Sequence, residues 1–159
     1  NAPFRMYKRY THEGGIATPL IVHWPDGLKD QNKLRHSPGH IIDIAPTCLN
    51  AAGLSTKGME GRTLLPVFTK DSTQPRTLFW EHEGNRAVRQ GDYKLVAQHN
   101  TPWELYNMRK DRNELHDLSR SMPQKAAELK KLYEAWAHRV GAKPWDEVSV
   151  IRKKNPPKK

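Results

Sequence analysis

The stretch NRAVRQGDYKLVA, Asn85 to Ala97, decides the fold. Small and β-branched apolar residues alternate with polar ones on both sides of Gly91-Asp92, the pattern of two antiparallel strands joined by a tight turn. Upstream, RTLFWEHEG (Arg76 to Gly84) is another alternating run, and downstream WELYNM (Trp103 to Met108) is a third. The region therefore predicts four antiparallel strands in sequence order. Such a sheet needs a cover, and SMPQKAAELKKLYEAWAHRVG (Ser121 to Gly141) supplies a helix. Ser121 and Gln124 have capping-box spacing, Pro123 falls in the first turn and Gly141 ends the helix. Ala126, Leu129, Leu132, Tyr133, Trp136 and Val140 form the stripe expected on the sheet.

Before the polar connector TKDSTQP (Thr69 to Pro75) the pattern differs. TPLIVHW, Thr18 to Trp24, is a short β-branched run bounded by Pro19 and Pro25, so it predicts a buried strand. HIIDIAPTCLNAAGL, His40 to Leu54, places Ile41, Ile44, Ala45, Cys48 and Leu49 at helical intervals, which predicts an amphipathic helix over about 41–52 with Cys48 in the core. His40 and Asp43 stand where capping and dipole pairing belong. The expected organisation is 1–70, 75–141 and a basic, disordered tail over 142–159.

Of 159 residues, 27 are Lys or Arg and 17 are Asp or Glu, a formal net charge of +10. An anionic partner must therefore be weighed, although much of the excess lies in RKKNPPKK (Arg152 to Lys159), a solvated charge run. Cys48 is the only cysteine, which excludes an intramolecular disulfide and a zinc site of several thiolates. No apolar run reaches membrane-spanning length. The start, NAPFRMYK, reads like the interior of a longer protein.

The chemistry concentrates in KRYTHEGGIATPLIVHWP, Lys8 to Pro25. His12 and Glu13, adjacent in an extended segment, point to opposite sides and do not by themselves make a metal or acid/base pair. Gly14 and Gly15 allow close backbone approach, and a lysine beside such a turn can hold an oxyanion as a point charge. Lys8, four residues, Glu13-Gly14-Gly15, then Thr18-Pro19 and a run ending Trp24-Pro25 resembles the C-terminal portion of type I, formylglycine-dependent sulfatases, the arylsulfatase family. HIIDIAPTCLNAAG, EGRTLLPVF, RAVRQGDYKLV and WELYNMRKDRNELHDLS resemble further motifs of that family in the same order, so the resemblance runs to about Val140.

The resemblance implies an α/β class: the end of an alkaline-phosphatase-like sulfatase domain, followed by a small domain of four antiparallel strands and one packed helix. It also implies that Lys8 contacts the sulfate group and stabilises its negative oxygens, with Glu13, Gly14 and Gly15 as the turn that supports it. His12, His82, Asn85 and Arg86 are candidates for the substrate pocket, the last three in a polar cluster with Glu83 at a strand end, where a rim of ordinary exposed polar groups is the competing explanation. The family's formylglycine motif and calcium ligands are missing, so the full-length enzyme is expected to carry formylglycine and calcium while this chain alone binds no metal and is inactive. The implied substrate is a sulfated small molecule or carbohydrate, the implied partner the N-terminal portion of the same polypeptide, and the compartment secreted, periplasmic or lysosomal. Without its sheet neighbours the Thr18 to Trp24 run is an apolar edge that invites self-association. The alternatives are a basic polyanion- or nucleic-acid-binding module, built on Trp80, Tyr93, Trp103 and Tyr106, or a non-catalytic structural domain. No ribonucleoprotein motif accompanies those aromatics, so no nucleic acid is expected.

Overall fold

A computed structural model describes residues 2–29, 32–71 and 76–154, the side chains of 152–154 aside. The chain forms two compact units, one of residues 1–18 with 75–159 and one of residues 19–74.

In the first unit β1 (Thr77–His82), β2 (Asn85–Gln90), β3 (Tyr93–Ala97) and β4 (Glu104–Asn107) make an antiparallel four-stranded sheet in the order β1-β2-β3-β4. The registers follow from the turns. His82 faces Asn85 across the two-residue turn Glu83-Gly84, both at positive φ (52° and 80°), which matches the twist of the flanking strands. Gln90 faces Tyr93 across Gly91-Asp92, as the alternation predicts.

The sheet is buried on both faces. On one, Val88, Leu95 and Leu105 meet Leu129 and Tyr133 of the long helix Pro123–Val140, with Phe79 stacked on Trp136 at 5.0 Å between ring centroids. On the other lie Ala87, Val96, Tyr106 and Met108, with Trp80 against them. This second face is covered by the N-terminal segment, whose short helix α1 spans Glu13–Ile16.

The covering helix differs from expectation in two details. Its N-cap is Met122, with Pro123 in the first turn, because Ser121 lies one residue too early and instead donates its hydroxyl to the Leu118 carbonyl. Val140 is 45% exposed, since the helix outruns the sheet beneath it. Gly141 ends the helix at φ 69°, with nothing within 4 Å of the position a Cβ would take. Gly141→Ala is therefore a test of backbone strain alone and is expected to lower stability by about 1 kcal/mol in chemical denaturation. A further helix over Trp145–Lys154 occupies most of what was expected to be a disordered tail; its acidic first turn, Asp146 and Glu147, favours the helix dipole. Residues 155–159 of that tail lie outside the described residues.

In the second unit α2 (Ile44–Ala51) follows a 3-10 turn at Ile41–Asp43, and α3 covers Leu65–Thr69. His40 and Asp43 form the expected capping box, the Asp43 carboxylate accepting from His40 N at 2.8 Å and from Arg62 N at 3.0 Å. Two expectations fail here. Residues Thr18 to Trp24 do not form a strand: among the described residues no neighbouring strand supplies the ladder bonds, and Ile21 is 89% exposed. Cys48 is exposed rather than in a core, because this helix buries Asp43, Pro46 and Thr47 against the segment at Arg62 to Leu64, with Leu64 N donating to Thr47 Oγ1, and turns Ile41 and Ile44 outward. The apolar stripe is present as read, but it faces solvent.

Candidate active-site loop

The segment Phe4 to Ala17 folds into a tight loop that projects Lys8. Tyr10 N donates to the Tyr7 carbonyl at 3.2 Å, closing a turn over Lys8 and Arg9. Met6 and Lys8 both take left-handed backbone conformations, φ 62° and 50°. For residues with a Cβ this costs on the order of 1–3 kcal/mol each and persists only where the surroundings impose it.

The surroundings are visible. Gly14 N donates to the Arg5 carbonyl at 2.8 Å, and a Cβ at Gly14 or Gly15 would overlap the Met6 and Tyr10 carbonyl oxygens. Only glycines let α1 nest against the loop backbone this closely. Glu13, 4% exposed, anchors α1 from below: its carboxylate accepts from Lys94 Nζ at 3.1 Å and Arg112 Nε at 3.4 Å. Its backbone N–H donates to Glu114 Oε2 at 2.9 Å, and Lys94 Nζ lies 2.8 Å from Glu114 Oε1. Arg112 also stacks over Phe4, 4.8 Å from the ring centroid.

A second anchor holds the other flank. Arg5 Nη1 donates to Glu104 Oε2 at 2.7 Å and to Tyr106 Oη at 2.6 Å, while the Tyr106 hydroxyl donates to Glu104 Oε2 at 2.8 Å. His12 Nε2 sits 3.2 Å from the same carboxylate oxygen. The hydrogen bond with His12, followed by those from Arg5 and Tyr106, holds the Glu104 carboxyl down at about 2 against the opposing effect of burial. Burial and the neighbouring Glu104 push the Tyr106 phenol well up, so it stays protonated as a donor.

Above these anchors opens a cleft of about 440 Å³ lined by Tyr7, Lys8, Arg9, Tyr10, His82 and Glu83. Arg9 pairs with Glu83 at 3.2 Å. The Lys8 ammonium is exposed and lies 5.9 Å from the Tyr7 ring, and among the described residues no carboxylate pairs with it. The cleft thus presents one uncompensated cation on a backbone turn held from below, suited to an anionic group.

Among the residues singled out from sequence, Lys8 and His82 come together in this cleft, and Glu13, Gly14 and Gly15 lie directly beneath Lys8. The other three candidates sit elsewhere. His12 is fully buried under the loop, bonded to Glu104, where no substrate reaches it. Asn85 is a buried turn-forming residue, donating to the His82 carbonyl at 3.0 Å and accepting from His99 N at 3.3 Å. Arg86 lies on the opposite face of the sheet, 4.8 Å from the Trp103 ring, which in turn packs against Tyr133. The aromatics weighed as a stacking platform are consumed in packing: Trp103 against the covering helix, Tyr106 against Glu104 and Arg5, and Trp80 and Tyr93 against the two core clusters.

The residues that sequence reasoning passed over are Arg5, Lys94, Glu104, Arg112 and Glu114. One signal was present: Lys94 stands within a β-branched and aromatic strand, where a lysine buried on a covered face requires an acidic partner. Calcium and formylglycine do not fit the donors available here. Among the described residues no three or more His, Cys, Asp or Glu side chains are grouped to hold a metal ion, and Cys48 is followed by Leu-Asn-Ala-Ala. No helix among the described residues is long and apolar enough to cross a membrane.

The fold and the loop define a sulfatase C-terminal domain: residues 4–139 match the family described as N-sulphoglucosamine sulphohydrolase, C-terminal, and the chain belongs to it. It is 30% identical over 143 residues to arylsulfatase K of Danio rerio, covering 80% of this chain and 27% of that protein. It is 36% identical over 99 residues to N-acetylgalactosamine-6-sulfatase of Mus musculus, covering 59% of this chain and 19% of that protein. Among solved structures, Ps i-CgsB superimposes with a TM-score of 0.75 at 27% identity, over 86% of this chain and 32% of that one. The same protein is also known in complex with k-i-k-neocarrahexaose, matching with a TM-score of 0.74. The chain therefore spans about a quarter of the length of the arylsulfatase K relative and about a third of this solved neighbour.

Proposed function

We propose that this chain is the C-terminal portion of a sulfuric ester hydrolase and supplies the lysine that contacts the sulfate group. The observation that carries the reading is Lys8: a charged side chain held in a strained backbone conformation by two anchors, one buried and one partly buried, with its ammonium unpaired in a cleft. Strain of this kind collects where a side chain must be aimed.

Hydrolysis of a sulfate monoester builds negative charge on the bridging and equatorial oxygens as the S–O bond breaks. A fixed ammonium beside those oxygens stabilises that charge without reorganising, and more strongly when the rest of the site excludes water. Lys8 acts on this reading as an electrostatic clamp, not a proton donor. His82, on the cleft wall, contacts the organic part of the substrate, which the sulfated-carbohydrate enzymes among the relatives suggest is a sulfated sugar. The nucleophile and the calcium ion belong to the portion of the longer polypeptide that precedes residue 1 here, and this chain alone does not turn over substrate.

The test is sulfate release from 4-nitrophenyl sulfate and from sulfated monosaccharides by the longer polypeptide, with Lys8 intact and as Lys8→Ala. Turnover falling by at least about a hundredfold supports the reading. Undiminished turnover overturns it.

The same reading accounts for the apolar surface of the second unit, where Leu20, Ile21, Ile41, Ile44 and Leu54 are all exposed. The preceding portion of the polypeptide covers it, and in isolation it drives self-association. Sedimentation velocity of the isolated chain is expected to show mass rising with concentration. A strict monomer throughout would contradict this.

A further inference from the structure

We infer that Lys94, together with Glu114, is a positioning residue for the Lys8 loop, acting through Glu13. The inference rests on the sulfate-contacting reading of Lys8 for its functional consequence, but its structural content stands alone. Lys94 is fully buried on β3, and Glu13 and Glu114 are 4% and 1% exposed. A lysine placed there is expensive to desolvate, and a methionine of similar length would pack in its place without that cost. Its ammonium does one specific thing: it bridges two carboxylates that come from different parts of the chain, Glu13 at 3.1 Å and Glu114 at 2.8 Å.

From Glu13 the path to Lys8 is continuous. Glu13 opens α1; its N–H is fixed by Glu114; the next residue, Gly14, donates to the Arg5 carbonyl; and the Gly14-Gly15 face bears on the carbonyls of Met6, Lys8 and Tyr10. If the carboxylate of Glu13 shifts, α1 shifts, and the support for the left-handed turns at Met6 and Lys8 goes with it. Arg112 does not substitute for Lys94, because it is largely solvent-exposed and reaches only the outer oxygen of Glu13 at the longer distance of 3.4 Å.

Native-state hydrogen exchange on Lys94→Met separates positioning from general stabilisation. The amides of Tyr10, Gly14, Gly15 and Ala17 are expected to lose protection by at least about tenfold more than the sheet amides of Val88 and Leu95. Uniform loss across loop and sheet, or unchanged loop protection, would overturn the inference. If Lys94→Met does not fold, Glu114→Gln is measured in its place, since it weakens the bridge while keeping an acceptor for the Glu13 N–H, and the same outcomes decide.

In the longer polypeptide, Lys94→Met is expected to lower kcat by about tenfold or more and to add little on a Lys8→Ala background, since both changes remove the same interaction. Full additivity would also overturn the positioning role. If Lys8→Ala leaves turnover unchanged while Lys94→Met selectively loosens the loop, the sulfate contact fails and the mechanical coupling survives.

Discussion

Lys8→Gly is expected to produce a protein that is more stable and far less active. The two effects have separate origins in one residue. Lys8 sits at φ 50°, a region that glycine enters without the steric cost a Cβ imposes, so the substitution relieves strain in the folded state. Part of the gain is returned because glycine widens the unfolded ensemble, leaving a net stabilisation of about 0.5–1 kcal/mol. The same change removes the ammonium from the cleft, and by analogy with the loss of a single oxyanion donor the turnover of the longer polypeptide should fall by about a hundred- to a thousandfold. Lys8→Ala is the control: the same loss of turnover, with no stabilisation, because alanine keeps the Cβ. Urea denaturation of this chain and sulfate release by the longer polypeptide read the two quantities independently. Equal stabilities for the glycine and alanine variants would show that the turn is not strained.

The contrast between what was legible in the sequence and what was not has a physical basis. The sheet could be read because each strand carries its own alternation and the connection Gly91-Asp92 carries its own turn chemistry, whereas the turn at Glu83-Gly84 emerged only from the structure. The covering helix could be read because Leu129, Tyr133 and Trp136 repeat at helical spacing and Gly141 stops it. These signals are local. The segment Thr18 to Trp24 has the composition of a buried strand, but a strand is completed only by neighbours, and none is present among the described residues. The boundary near 70–75 was read, but that residues 1–18 join the C-terminal unit was hidden for a different reason. What ties the N-terminal segment to the sheet is a set of ion pairs and hydrogen bonds: Glu13 with Lys94, 81 residues away, and Arg5 with Glu104, 99 residues away. Hydrophobic periodicity carries no information about such pairs. The resemblance pointed to Glu13-Gly14-Gly15, whereas the partners that give Glu13 its grip were not legible from it.

Glu104 tests the second anchor most severely, because three side chains converge on one of its oxygens. Glu104→Ala leaves the Arg5 guanidinium, the Tyr106 hydroxyl and the buried His12 ring without that acceptor, and a loss of about 3 kcal/mol is expected from stranding partly buried charge. The N-terminal segment should release first, so that loop amides exchange faster than sheet amides. A pH series on the unmodified chain isolates the ionic part. The Glu104 carboxyl lies at about 2 in the folded state against an ordinary 4.5, lowered first by the His12 hydrogen bond. A carboxyl depressed on folding contributes stability that is fully present above the unfolded value and is lost as pH falls through the folded one. The window is therefore from about pH 5 down to about pH 2. The full shift corresponds to about 3 kcal/mol, and with the side chain partly open to solvent about 2 kcal/mol is the expected loss. Glu104→Gln keeps the shape and cannot titrate, so its stability should fall less steeply between pH 5 and pH 2 than that of the unmodified chain. Parallel acid denaturation curves for the two proteins would mean that Glu104 holds the loop by shape and neutral hydrogen bonds, and that the charge on its carboxylate contributes nothing to seating Lys8.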